Sequence, residues 1–206
     1  MAGKREAKRE DLRERLIGAA TSRMRDNGLA ALRARDITSD AGCALGGLYS
    51  AFEDLDALIL AVNSLTLRQL DEIMTSEVER QTSDGGKLQT LGATYLKFAR
   101  DNPNLWRALF QFHYPDGKEL PEWYAQDQAK LLLQIVKPLR GLQPEMNEAA
   151  LIVRARTLFA AVHGIVSISL EERFVGLPTA TLDYELERFI NLLLSGLKEL
   201  KAEGRN

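Results

Sequence analysis

Apolar residues recur along this chain at intervals of three and four, the period of helices buried along one side. From Asp11, the positions Leu12, Leu16, Ala19, Ala20 and Met24 form one such stripe, and Asn27-Gly28 supplies a stop. A second helix is expected from about Arg33 to Ala41 and a third from Leu45 to Phe52. Gly42 stands between them, where a tight turn needs positive φ. Ahead of these, Met1 to Glu10 is polar and alternates in sign, the pattern of a solvated lead-in or of added helical turns.

Asp54 can cap a long fourth helix carrying Leu55, Leu58, Ile59, Val62, Leu65, Leu70 and Ile73 and ending near Arg80. Gln81 to Lys87, with Asp84-Gly85-Gly86, reads as a loop before a fifth helix from Leu88 to Arg100. Pro103 opens a sixth, Asn104 to Phe112, because a missing N–H is harmless in a first turn. After a loop at Tyr114 to Leu120, Pro121 begins a seventh helix ending between Pro138 and Pro144. An eighth runs from Glu145 to about Phe174, and Thr179 can cap a ninth. No alternating β-branched run competes, so the expected class is all-α with about nine helices. They divide into a three-helix unit at 1–54 and a helical bundle at 55–206.

Within the first unit, Asp36 to Phe52 has the form of a helix-turn-helix. Ile37 and Ala41 share one face, Leu48, Ala51 and Phe52 make a second apolar stripe, and Leu45, Gly46, Tyr49 and Ser50 are left on the outer face. In such a pair the outer face of the second helix enters the major groove of DNA.

Charge sharpens this picture. The net charge is only -2, but ten basic residues face five acidic ones within the first 35, so the remainder is acidic. The single cysteine, Cys43, excludes an internal disulfide and suits a reducing cytoplasm, and no Cys/His cluster has metal-ligand spacing. Neither an apolar run of signal-peptide length nor one of membrane-spanning length is expected, so no membrane partner is expected.

The order of short helix, helix-turn-helix, long connecting helix and bundle, with the motifs RERLIGAATSRMRDNG (Arg13 to Gly28) and RDITSDAG followed by GGLYSAFEDLDAL (Arg35 to Leu58), resembles the TetR family of transcriptional repressors. A further fragment, AVHGIVSISLEERF (Ala161 to Phe174), is similar to one subgroup of the family's ligand-binding domains. The resemblance implies a homodimer that represses transcription by reading a palindromic double-stranded DNA operator, and that a small-molecule effector releases, with 1–54 as the DNA-binding unit and 55–206 as the ligand-binding and dimerisation unit. Two recognition helices entering successive major grooves must lie about 34 Å apart.

Departures from the family pattern fall on the contact surface. Leu45 and Leu55 stand where lysine is usual, and Arg33 and Ala44 stand where a capping threonine or serine is usual. A lost cap typically costs about 1 kcal/mol. Gly46 and Gly47 weaken the helix further and suggest a close backbone approach to a phosphate or base edge. Base contacts would then fall to Tyr49, Ser50, Thr38 and to apolar contacts from Ala44 or Leu45. Phosphate contacts would fall to Arg33, Arg35 and the arm residues Lys4, Arg5, Lys8 and Arg9.

Candidate effector residues are Tyr95, Trp106, Phe110, Tyr124, Arg156, Phe159 and His163, although aromatics at helical spacing also serve as core. His163 has a satisfied-core alternative, and Arg156 can pair with a glutamate instead. Gly164, Val166, Ser167, Leu170, Phe174, Phe189, Leu193, Gly196 and Leu197 are candidates for a dimer bundle that shares its stripe with the core. An enzyme is not expected. Neither His113 nor His163 follows an acidic residue by three positions, as a di-iron bundle requires, and no cofactor is implied. The alternative is a dimeric helical small-molecule carrier or adaptor with weakened DNA binding.

Overall fold

The computed structural model describes residues 2–114, 119–171 and 175–203, and among them the fold is all-helical, with nine α-helices and no strand. The helices are α1 (Ala2–Asn27), α2 (Ala34–Asp40), α3 (Leu45–Ala51), α4 (Leu55–Val78), α5 (Asp84–Asp101), α6 (Pro103–Gln111), α7 (Glu122–Leu142), α8 (Glu148–Leu170) and α9 (Thr179–Glu203). A single 3-10 turn, Leu29–Ala31, follows α1.

Most helix starts have a local cause. Asp54 Oδ1 accepts from the Ala57 N–H at 2.8 Å, the expected cap of α4. The glycine stretch expected as loop instead opens α5, because Ser83 Oγ accepts from the Gly86 N–H at 3.1 Å and closes the first turn. Asn147 caps α8 through Ala150, which moves its start from Glu145 to Glu148. Thr179 is itself the first residue of α9 and not its cap. The Pro178 carbonyl accepts from the Thr181 N–H and hydroxyl instead.

Two compact units emerge. The first comprises residues 1–68 and 102–125, the second residues 69–101 and 126–206. This division differs from a cut after residue 54, and the reason is packing. The faces of α1, α2 and α3 that carry Leu16, Met24, Ile37 and Leu48 are closed by Leu58 and Val62 of α4 and by Leu105 and Ala108 of α6. α1 and two seven-residue helices cannot by themselves cover so much apolar surface.

In the second unit α5, α8 and α9 pack on one another. Leu182, Leu186, Ile190 and Leu194 form the buried stripe of α9. A Cβ at Gly92 would overlap Ile190 Cδ1, so a larger residue there would have to shift the tip of that side chain. Gln89 and Asn191 hydrogen-bond across the same seam, and Arg100 forms a two-armed ion pair with Asp183 at 2.9 and 2.6 Å.

One expectation about length is corrected. α8 is long and apolar enough to cross a membrane, with only 17% of its most apolar window buried. Its run of Ala, Val, Ile, Gly and Ser between Phe159 and Leu170 raises the hydropathy, although Arg154 and Arg156 stand in its first half.

Candidate nucleic-acid interface and ligand region

The helix-turn-helix is held to α1 by three arginines. Arg23 grips Asp40 through Nε and Nη2 at 2.5 and 3.0 Å and lies 3.6 Å from Asp36, which fixes α2. The same hydrogen bond holds the Asp40 carboxyl below its ordinary range and raises Arg23. Arg15 Nη1 donates to the Ala41 carbonyl at the turn. Arg13 donates to the Ala51 carbonyl at 3.4 Å and stacks 4.2 Å over the Phe52 ring, at the end of α3. None of these three was singled out from the sequence. Their only signal was basic spacing along α1 opposite Asp36 and Asp40.

Gly42 adopts φ 65°, as the turn demands. Beyond it α3 buries Leu48 and Ala51 and exposes Ala44, Leu45, Gly46, Tyr49 and Ser50. Leu45 is 39% and Tyr49 59% exposed, which places two large side chains on an uncharged outer face. Ala44 and Arg33 stand at the N-caps of α3 and α2, and neither makes a side-chain cap. Ser50 Oγ donates back to the Gly46 carbonyl at 2.9 Å.

Thr38 does not belong to this face. It is 2% exposed, and its hydroxyl donates to the Ala34 and Arg35 carbonyls of its own helix, so it offers nothing to a base. The two glycines also separate. A Cβ at Gly47 would lie 3.1 Å from Cys43 Sγ and 3.7 Å from Leu12, so that glycine answers to packing inside the unit. At Gly46 a Cβ meets nothing within 4 Å.

Of the basic candidates, Arg33 spends Nη1 on the Ala30 and Leu32 carbonyls, both at 2.8 Å, while remaining exposed. Arg35, Arg5, Lys8 and Arg9 are exposed, and no hydrogen bond or ion pair joins them to other described residues. The side chain of Lys4 lies outside the description.

The effector candidates fall in both units. Tyr95, Phe159 and His163 cluster in the second, where Phe159 stacks on the His163 ring at 5.7 Å and meets Tyr95 edge-on at 5.7 Å. Burial pushes the His163 imidazole below its ordinary value, against a smaller opposing pull from Glu171. Arg156, three residues before Phe159 on α8, is exposed. In the first unit Trp106 and Tyr124 are buried, and the half-exposed Phe110 meets Trp106 edge-on at 5.6 Å. A separate cleft of about 260 Å³ lies between α5 and α9, lined by Gln89, Thr90, Ala93, Asp183, Leu186 and Glu187. None of the expected effector residues lines it.

The dimer candidates separate too. Val166 and Leu197 are buried within the chain and belong to its core, since a side chain already covered has no surface left for a partner. Gly164, Ser167, Leu170, Phe189, Leu193 and Gly196 are half-buried, and Phe174 lies outside the described residues. Val153, Tyr184 and Leu192, 63%, 59% and 70% exposed, are apolar surface on α8 and α9 that periodicity did not single out.

Residues 88–193 match the family described as "Tetracyclin repressor-like, C-terminal domain". The chain belongs to the TetR family. Solved structures carry the same fold along nearly the whole length. A Rhodococcus sp. RHA1 protein of unknown function is 20% identical, with 91% of this chain and 95% of that one aligned at a TM-score of 0.74. A TetR family transcription regulator from Marinobacter aquaeolei VT8 is 17% identical over 92% and 97%, at 0.64. The transcriptional regulator FadR from Bacillus subtilis, in complex with stearoyl-CoA, is 16% identical over 89% and 96%, at 0.65. As a TetR family member the chain is a transcription regulator of the ligand-responsive type.

Proposed function

We propose that this TetR family chain is a repressor that binds a palindromic operator as a homodimer and releases it on binding a small molecule. The observation that carries the reading is the outer face of α3. Its Leu45, Gly46, Tyr49 and Ser50 are exposed and uncharged, on a helix clamped to α1 through Arg13 and preceded by a turn that Arg15 holds to α1. A firmly seated helix with apolar and hydroxyl groups outward suits reading of thymine methyls and base edges. Arg35, Arg33 and the basic start of α1 supply phosphate contacts in place of the missing lysines.

The exposed apolar groups of α8 and α9, with the small residues Ala160, Gly164 and Gly196, form the face that meets a second copy. That pairing also accounts for a helix of membrane-like hydropathy with little of it buried in one chain. The Tyr95, Phe159 and His163 cluster forms part of the effector site.

The test is selection of duplex DNA by the purified full-length protein at about 50 mM and about 200 mM salt. A palindrome should be enriched at both, and its complex should dissociate with an effector, for which stearoyl-CoA is the first compound to try. No enrichment at either salt would leave a helical carrier as the function.

A further inference from the structure

We propose that the first turns of α1 form a rigid basic strut that grips the phosphates of duplex DNA flanking each half-site, outside the bases that α3 reaches. This rests on the operator-binding reading above and deepens it, by fixing where along the duplex the basic start of α1 makes contact.

α1 is one unbroken helix from Ala2 to Asn27. Its face toward the helix-turn-helix can be followed from the C-terminal end: Arg23 holds α2, Arg15 holds the turn, and Leu12 and Arg13 meet α3. Everything N-terminal of Leu12 therefore overhangs α3. Those ten residues, Ala2 to Asp11, span about 15 Å at 1.5 Å per residue.

The overhang segregates its charge. Arg5, Lys8 and Arg9 lie at i, i+3 and i+4, and the series continues at i+7, i+8 and i+11 with Leu12, Arg13 and Leu16. The basic face is thus the continuation of the face on which α3 sits. Glu10 and Glu14 fall toward the opposite side of the helix, and Glu6, seven residues before Arg13, borders the basic face. Arg5, Lys8 and Arg9 are exposed and make no ion pair with described residues, so three cations remain for an outside partner.

Charge and position select the partner. A row of cations continuing the α3 face meets phosphates beside the major groove that α3 enters. Ala2 to Asp11 include no large apolar side chain to insert into a bilayer. A reach of about 15 Å along the duplex corresponds to about four base pairs at 3.4 Å each.

The experiment uses the full-length protein and the selected palindrome, once with native flanks and once trimmed at both ends by about four base pairs. Wild type should bind the trimmed site more weakly. Arg5→Ala/Lys8→Ala/Arg9→Ala should bind both sites equally, with a slope of log K against log salt reduced by about one per lost phosphate contact. Ala7→Pro, which keeps every charge and breaks the helix, should also lose the preference for native flanks. Glu6→Gln/Glu10→Gln should retain it. Equal wild-type affinity for both sites, or a triple variant with an unchanged slope, overturns the strut. So does an Ala7→Pro variant that behaves as wild type. Failure of the repressor reading is distinct, because no palindrome would then be selected at all.

Discussion

The phenol of Tyr95 on α5 and Nδ1 of His163 on α8 share a hydrogen bond of 2.7 Å. It joins two elements across the interior of the second unit, where Tyr95 is 3% exposed. The lone histidine on an apolar stripe thus has a partner inside the chain, which fits the core alternative open at the level of sequence.

Tyr95→Phe leaves the imidazole nitrogen half-buried without this partner and should destabilise the fold by about 1–2 kcal/mol. Thermal melts of wild type and variant check this. If Tyr95→Phe leaves stability intact but abolishes the response to an effector, the pair belongs to the ligand site and not to the core.

The same histidine predicts a pH dependence. Its folded value is depressed below the ordinary 6.5, so the unfolded chain binds the extra proton first on acidification. Its contribution is whole above about 6.5 and is lost as pH falls from there toward the folded value. Denaturant unfolding of wild type should therefore weaken between about pH 7.5 and 5.5 more than that of His163→Asn. Parallel curves would remove His163 as the cause.

Gly46 and Gly47 should respond oppositely to alanine. Gly46→Ala enters open space and should raise stability by about 0.5–1 kcal/mol, while weakening operator binding if the DNA backbone approaches there. Gly47→Ala must displace Cys43 Sγ and should gain less or lose. Melting temperatures and operator affinity, measured on the same preparations, separate the two. An equal gain in stability for both would contradict the packing role of Gly47.

Caps can be restored. Ala44 has extended backbone, φ -71° and ψ 159°, and no side chain to accept from α3, so Ala44→Ser should add about 1 kcal/mol. Arg33→Ser should add less, because it forfeits the two bonds to the Ala30 and Leu32 carbonyls. Chemical denaturation gives both values, and the expected order reverses if those carbonyl bonds contribute nothing.

Leu192→Glu and Val153→Glu alter side chains that one chain leaves 70% and 63% exposed. Each should convert a dimer to a monomer, by sedimentation, without lowering the monomer's own stability. Val166→Ala should instead cost about 1–3 kcal/mol of folding stability, since Val166 is fully buried in one chain. A wild type that sediments as a monomer at micromolar concentration would overturn the dimer.

Periodicity, caps and turn residues by themselves determined much of this protein. The class, the order of the helices, the Gly42 turn and the outer face of α3 all follow from local sequence, because helix formation and turn geometry are set within a few residues. The TetR signature lies in those same local positions. What local pattern did not carry was pairing between distant segments. Only the tertiary structure assigned Arg13, Arg15 and Arg23 to clamps, sent Thr38 inward, explained Gly47 by Cys43 and separated it from Gly46, and brought α6 to the core of the first unit. It also divided the α8 and α9 stripes, placing Val166 and Leu197 in the core and Val153 and Leu192 at the surface. A helix's period states which residues share a face, but which face meets which neighbour depends on contacts formed across many residues of chain.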